Sequence, residues 1–522
     1  MMVSNLVNSV FKAYLKFHEA DLKAHYKHPL HLQQQEFMRL IGPNANTVFG
    51  KKHNFSSIST PAEYAERVPL NTYDDLWPYI ERIIKGEGDV LTTGKVTWLA
   101  KTAGTTSGTS KHIPITRNAL RRSHFKAAWY TLATLYAHHE NMRIFAQRNL
   151  LIGGGVYGKY PGANLHVGDI SGIVIHSIPM LLRPFYYPDI KTATLPNYEE
   201  KIQKTAEIAA RQKNITMLGG VPTWNLSLYR LILEKTGASN LTELWPNLQA
   251  YVHGGVRFGP YRKQFEALIP KKDFLYHEVY NASEGYFAVQ DQLDKRDLLL
   301  LLNNGVFYEF LRLKDYQDGN YAAALPLAEV QEGEPYAMLI TTNAGLYRYI
   351  IGDVVTFTSI FPFRIKITGR VQEYINAFGE DLQQGQVEQA LIDTCKATGA
   401  VVRDFTIAPQ YVQLSEKGRH QWFIEFATPP ADLDQFTTIL DEEMQRENSN
   451  YAQKRSNNFA IQQLEVIALP KGFFKKWLRE TNRMGGQAKI PRLVNNRKIA
   501  ESILSVLAKT RTKTQKTASR SQ

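Results

Sequence analysis

The thirteen residues from Thr102 to Pro114 read Thr-Ala-Gly-Thr-Thr-Ser-Gly-Thr-Ser-Lys-His-Ile-Pro. They hold two glycines, six hydroxyl side chains and one lysine. Gly104 and Gly108 let backbone N–H groups converge on one point. Thr105, Thr106, Ser107 and Thr109 add hydroxyl donors, and Lys111 adds a point charge suited to phosphate. This inventory can grip a polyphosphate, and the same composition also makes a plain solvated loop. A Walker loop is excluded. That pattern needs Gly-Lys-Ser/Thr opening a helix, whereas Gly108 here leads through Thr-Ser-Lys to Pro114.

Four other stretches carry chemistry. Tyr280-Asn281-Ala282-Ser283-Glu284 sets a ring, a hydroxyl and a carboxylate together. A carboxylate beside a phosphate requires a metal between them, and Mg²⁺ takes one or two carboxylates plus phosphate oxygens. Thr342 to Tyr349 leads into Gly352-Asp353, where a turn aspartate can accept from both hydroxyls of a ribose. Gly369-Arg370 and the run Ala488-Lys489-Ile490-Pro491-Arg492 complete the set. Taken singly, each also reads as a capped turn, a turn aspartate or a surface cation. Gly153 to Gly158 matches the Gly-x-Gly-x-x-Gly pattern, but Pro161 and Gly162 stand where a helix should open, so it reads as a turn.

The elements that must hold these residues follow from periodicity. Residues 1–42 carry apolar positions at helical spacing, giving one or two amphipathic helices. Asn71 to Asp75 resembles a helix start with early acids. Val96 to Ala100 and Ile113 to Ile115 read as extended pieces flanking the loop, since the residue before a proline avoids helix. Thr116 caps the next helix. Between 145 and 290, strands at 150–152, 215–218, 250–252 and 274–280 alternate with helices, which predicts an α/β fold with a largely parallel sheet. Gly219, Gly254 and Asn281 to Glu284 end such strands, where ligands bind in open α/β sheets. Residues 300–370 read as a smaller antiparallel unit. From Glu373 a separate α+β domain follows, with the boundary near Gly369 to Gln372.

The chain has 522 residues, room for several domains, and 43% apolar composition of globular type. No apolar run is long enough to span a membrane, and the charged N-terminus does not read as a signal peptide. The single cysteine, Cys395, excludes an internal disulfide and a cysteine zinc site. It sits in a helical apolar pattern with Leu391 and Ile392, as core filler rather than a nucleophile. The expected location is cytoplasmic. The net charge of +13 suits anionic small substrates, and no aromatic–basic interleaving points to nucleic acid.

In order and together, these pieces resemble the adenylate-forming superfamily of acyl-CoA synthetases, luciferases and peptide-synthetase adenylation domains. More closely they resemble the auxin-responsive-promoter family of acyl acid–amido synthetases, as a bacterial-type member. The resemblance rests on Val68-Pro69 with Tyr73-Asp74-Asp75 and Pro78-Tyr79-Ile80, Gly104-Thr105 with Lys111 and Pro114, Ser283 to Phe287, Tyr308 to Leu311, Ala344 to Tyr349 with Gly352-Asp353-Val354, and Lys489 to Arg492. It implies that Thr105, Thr106, Ser107, Gly108, Thr109 and Lys111 hold the ATP phosphates. Gly254 and Gly255 would line the adenine with Tyr280 nearby. Ser283 would reach the α-phosphate, Glu284 would ligate Mg²⁺, Asp353 would hold the ribose, and Arg370 would stand at the hinge. Lys489 would enter from the mobile domain. Two features depart from the superfamily: Ser107 separates the paired threonines from Gly108, and the usual Pro-Lys-x-x-x-Gly-Lys setting is absent, leaving Lys489 as the adenylation lysine.

The expected architecture is α/β. A large N-terminal adenylation domain (1–369) has mostly parallel sheets flanked by helices and a small β subdomain. A smaller mobile α+β domain (370–508) and a basic disordered tail (509–522) follow. The expected activity is ATP- and Mg²⁺-dependent conversion of a small carboxylic acid to an acyl-adenylate, then transfer to an amine, by resemblance an amino acid's. The alternatives are an acyl-CoA ligase and a non-catalytic ATP-binding interaction protein.

Overall fold

The computed structural model describes residues 2–102, 111–255, 258–371, 374–375, 377, 382–410, 418–448, 451–452, 455, 461–481, 490–494 and 496–518. The chain divides into two compact units, residues 1–367 and 368–522.

The first unit begins with two amphipathic helices, Met2–Lys27 and Pro29–Ile41. A third, Tyr73–Ile84, starts where the early acids predicted, on a capping box between Thr72 and Asp75. Strands β1 (Val96–Lys101) and β2 (His112–Thr116) flank the hydroxyl-rich loop and pair antiparallel, so the loop joins the arms of a hairpin. The Thr116 hydroxyl accepts from the Ala119 amide and starts a helical run to His138 that widens to π-helix over Leu120–Phe125. Next come β3 (Arg148–Leu151), β4 (Val156–Lys159), β5 (His166–Gly168) and β6 (Tyr186–Tyr187). Strands β2-β1-β5-β4 form a small sheet.

The main sheet is assembled around β7 (Ile215–Gly219), β8 (Ala250–His253) and β9 (Leu275–Asn281). With β3 and β6 they run parallel in the order β6-β3-β7-β8-β9. Both faces are covered, as a parallel sheet requires. On β7, Met217 packs toward helices Met2–Lys27 and Lys126–His138, while Leu218 packs toward helices Tyr198–Ala210, Pro222–Thr236 and Arg262–Leu268.

Seven further strands continue this sheet: β10 (Tyr286–Val289), β11 (Leu298–Leu300), β12 (Val306–Arg312), β13 (Leu325–Pro326), β14 (Pro335–Thr342), β15 (Tyr349–Ile360) and β16 (Phe363–Arg370). They extend it as β13-β12-β14-β15-β16-β11-β10-β9. The antiparallel unit expected over 300–370 is therefore present but not detached. Its strand edge is closed by hydrogen bonding to the parallel half through the β9–β10 hairpin, which answers backbone groups that an isolated unit would leave open.

The second unit contains a short hairpin, β17 (Tyr374–Ile375) and β18 (Leu382–Gln383), and the sheet β19 (Val401–Gln410), β20 (Arg419–Thr428), β21 (Glu465–Leu469). Helices Gln384–Thr398 and Leu433–Glu447 pack on it with Trp422 and Phe436 at the core. The segment Ile490–Val494 adds to the edge of β19, where Ile407 and Val494 exchange backbone hydrogen bonds with Arg492 and Ile407. Helix Lys498–Ala518 runs into the basic segment after 508, of which residues 519–522 lie outside the described ones. The Thr/Lys-rich sequence has no Gly or Pro there to stop propagation.

Candidate functional site

Parallel pairing puts the C-terminal ends of β3, β7, β8 and β9 along one edge of the sheet. Gly254 directly follows β8, and a Cβ placed there would lie 2.4 Å from the Val279 carbonyl oxygen of β9. Only glycine permits that approach. Gly255 follows at φ +78°, the left-handed region that favours glycine. Beyond β9, residues 282–285 form a tight turn closed by the Ala282 amide donating to the Gly285 carbonyl at 2.8 Å. Ser283 is buried in this turn and Glu284 is half-buried.

The Tyr280 hydroxyl donates to the Asp353 carboxylate at 2.5 Å, across 73 residues of sequence. Asp353 reaches it through an irregularity in β15. Leu339 of β14 pairs with Ile350 and Ala337 with Val354, so Met338 stands opposite the stretch Ile351–Asp353. Gly352 sits in this bulge at φ +89°. Bulges of this kind re-aim a side chain out of the regular alternation. The Tyr280 ring is packed against Phe287, centroids 4.9 Å apart, which fixes its orientation.

At the hydroxyl-rich loop the described residues form its neck. The Thr102 amide donates to the Lys111 carbonyl at 2.9 Å, and the Lys111 amide to the Thr102 hydroxyl at 3.3 Å. The Lys111 ammonium lies 5.6 Å from the centroid of the Tyr73 ring. The Tyr73 hydroxyl accepts from the His112 amide at 2.9 Å, and burial raises its pKa to about 12. His112 is held below its ordinary pKa by burial, and secondarily by Lys101. Thr105, Thr106, Ser107, Gly108 and Thr109 lie outside the described residues, as does Lys489. Arg370 ends β16, in the second unit.

Two clusters hold contacts that the sequence did not place. Arg348, at φ +44°, pairs with the buried Glu309 of β12 through Nε at 3.1 and 3.0 Å and through a second nitrogen at 2.9 Å. It also donates to the carbonyls of Ala65 and Val68 at 2.8 and 2.7 Å. Next to it the Asn71 amide side chain donates to the Tyr347 carbonyl at 2.7 Å, and Asn71 pairs like a strand with Tyr349. The segment leading into Tyr73 is thereby fixed to the turn that leads into Asp353. A lone charge inside each apolar run, Val306–Leu311 and Tyr347–Ile351, was the available signal, because a buried charge needs a partner.

The second cluster lies past β3. The Asp169 carboxylate accepts from the Gly155 amide at 2.8 Å and the Tyr157 hydroxyl at 2.7 Å, and Ser171 accepts from the Gly154 amide at 2.8 Å. The buried Lys201 donates to the Gly153 carbonyl at 2.8 Å, and burial lowers its pKa to about 8. Burial raises that of Asp169. A Cβ on Gly154 would fall 2.2 Å from that of Asp169. The glycine run first read as an ordinary turn is thus packed tightly against a buried carboxylate.

Three family models match the chain: the GH3 family N-terminal domain over residues 19–186 and 156–274, the central domain over 299–370, and the C-terminal domain over 385–498. A jasmonoyl–L-amino acid synthetase, JAR6 of Nicotiana attenuata, is 23% identical, with 91% of this chain and 93% of that protein covered. An indole-3-acetic acid-amido synthetase, GH3.8 of Oryza sativa subsp. indica, is 22% identical, with 90% and 89% covered. Among solved structures, the AtGH3.15 acyl acid amido synthetase in complex with 2,4-DB superposes with a TM-score of 0.78 at 17% identity, covering 95% of this chain and 97% of that one. A 2-hydroxyisobutyryl-CoA ligase in the postadenylation state gives 0.56 at 13% identity, covering 92% and 90%. With all three family domains present in order across most of its length, the chain belongs to the GH3 family.

Proposed function

We infer that this protein is an adenylate-forming ligase that activates a carboxylic acid with ATP and passes the acyl group to the amine of an amino acid. Family membership supports the reaction class, and the Tyr280–Asp353 hydrogen bond is the observation that carries the site. It joins two residues assigned to the same nucleotide from distant parts of the sequence. A carboxylate oriented by a tyrosine hydroxyl is a suitable acceptor for ribose hydroxyls. Gly254 and Gly255 leave a flat backbone wall for the adenine beside Tyr280.

Thr105, Thr106, Ser107, Gly108 and Thr109 would surround the phosphates with donors, with Lys111 at the neck, and Ser283 would donate to the α-phosphate. The acid's carboxylate oxygen attacks the α-phosphorus, the bond to the bridging oxygen breaks, and pyrophosphate leaves. Fixed donors are most effective where charge builds on phosphate oxygens. In the second step the amine nitrogen attacks the acyl carbon, AMP leaves, and the amine's proton is released. Arg370 and Lys489, both in the second unit, are assigned to the hinge and to the first step.

Among the described residues no group of three or more His, Cys, Asp or Glu could cage a metal. A half-buried carboxylate at a turn, Glu284, instead suits Mg²⁺ that takes its other ligands from phosphate and water. When bound, that ion would neutralise phosphate charge. Among the described residues no helix is long and apolar enough to cross a membrane. We place the protein in the cytoplasm on its single cysteine, which is half-buried.

The test is pyrophosphate release from Mg·ATP across a panel of small carboxylic acids, with hydroxylamine to trap the activated acyl group. Acid-dependent release with hydroxamate formation is expected, followed by amide formation when amino acids replace hydroxylamine. Thioester formation with CoA and no amide would shift the assignment to an acyl-CoA ligase. ATP binding without release would shift it to a non-catalytic protein.

A further inference from the structure

A cavity of about 390 Å³ lies at the free edge of the parallel half of the sheet, between β6 and helices Ile170–His176 and Ile190–Ala193. That volume suits a small ligand. Its walls are apolar, with Ile175 and Ile178 on one side and the rings of Tyr186 and Tyr187 on the other. Its polar groups are predominantly cationic: Arg148, Arg183 and Lys191, against the single carboxylate Asp189. Asp189 is already engaged, accepting from the amide and hydroxyl of Thr192 at 3.1 and 2.7 Å. Arg148 lies over the Tyr187 ring at 4.9 Å, and the Arg183 Nε donates to the Ile178 carbonyl at 3.1 Å. Among the described residues no carboxylate is ion-paired with any of the three cations.

An apolar chamber with a surplus of unneutralised positive charge selects one ligand chemistry, an apolar body ending in an anion. We propose that this cavity is a second ligand site, which takes a small amphipathic carboxylate, with Arg183 and Lys191 meeting the anion and Tyr186 and Ile175 the apolar body. The cavity reaches Leu151 at the end of β3, and β7 and β8 stand between β3 and β9, which carries Tyr280.

Helix Ile170–His176 contributes to its lining through Ile175, and β3 through Arg148 and Leu151. The far end of the cavity contacts Ile175. At the opposite end of the same helix, Ser171 and the capping residue Asp169 hold the amides of Gly154 and Gly155. Gly153 itself touches Ile175, since a Cβ there would lie 2.8 Å from the Ile175 Cδ1. A ligand seated against Ile175 therefore bears on the turn that follows β3.

The experiment is photo-labelling of the full chain with a diazirine-bearing benzoate, mapped by peptide mass spectrometry. Benzoate and benzamide serve as competitors. Labelling within 186–191 is expected, displaced by benzoate and not by benzamide. In the double variant Arg183→Gln, Lys191→Gln it should fall about tenfold, as loss of charged hydrogen-bond partners implies. Both side chains are exposed, so the variant is expected to fold, and circular dichroism checks this. No label at 186–191, equal displacement by benzamide, or undiminished label in the folded double variant would each overturn the proposal. This readout is independent of turnover, so it stands or falls apart from the adenylation reading. Acid-dependent pyrophosphate release by the double variant, unchanged at low acid concentration, separates this site from the substrate site.

Discussion

Tyr280 and Asp353 share one hydrogen bond, but cutting it from each end has different consequences. Asp353→Ala removes the carboxylate assigned to the ribose, and acid-dependent pyrophosphate release is expected to fall about 100-fold, two charge-assisted hydrogen bonds being lost. Tyr280→Phe keeps the ring against Phe287 and loses only the donor. The KM for ATP should then rise about tenfold with kcat nearly unchanged, the pattern of lost uniform binding. Full turnover in a folded Asp353→Ala protein would move the ribose elsewhere. Arg348 acts on stability rather than on substrate. Arg348→Met leaves the Glu309 carboxyl buried and unpaired, which costs about 3–5 kcal/mol, and adding Glu309→Leu should recover most of that. Urea unfolding of the three variants checks this. A charge inside each of two apolar runs was visible in the sequence. That the charges meet was not, because their partnership spans 39 residues and depends on strand order.

Periodicity carried the helices well. The runs at 2–27, 73–84 and 222–236 each show an apolar face, and hydroxyl or proline punctuation starts the last two. Strand pairing was less legible, since alternation says which face is buried but not which neighbour is bonded. The bulge in β15 is the clearest case. Gly352 shows only as a glycine in a β-like run, yet its φ of +89° turns Asp353 toward Tyr280. Gly352→Val is expected to cost about 1–2 kcal/mol from backbone strain. It should weaken ATP binding more than that loss explains. Calorimetric titration with ATP beside thermal melting separates the two effects.

The helix run Arg117–His138 gives a pH prediction. Burial depresses His124 to about 4, and His25 on the helix facing it to about 4. Both lie below the ordinary 6.5, so each favours the folded state fully above pH 6.5 and loses that contribution as pH falls through about 4. The loss is on the order of 3 kcal/mol for each. Melting temperature should drop steeply between pH 6.5 and 4, and the folded variant His124→Leu should show a shallower drop. An unchanged slope would mean that His124 is not the group taking up protons.

For the whole molecule, the proposal gives the two compact units different tasks. Lys489 belongs to the first half-reaction in this assignment. Lys489→Ala should slow adenylation about 100-fold while transfer from a supplied acyl-adenylate to an amino acid persists. Equal loss in both halves would remove its special role. The described part of its surroundings is firm: Ile490–Val494 is hydrogen-bonded to β19. Composition and periodicity change near residue 370, and the chain's two compact units divide between 367 and 368. The continuity of one sheet from β6 to β13 was not, because it depends on pairings made across the whole first unit.

The strand-like pairing of Asn71 with the Tyr347–Tyr349 segment sets a timetable for synthesis. The two partners of its side-chain bond are 276 residues apart. At about 5–20 residues per second, that separation takes roughly 15–55 s to translate. Throughout that interval Val68 and Asn71 have left the ribosome and the turn that will bury them does not yet exist. This pairing is therefore among the last parts of the first unit that a nascent chain can close. A ribosome that pauses before codon 347 holds out an open backbone edge for other chains to meet.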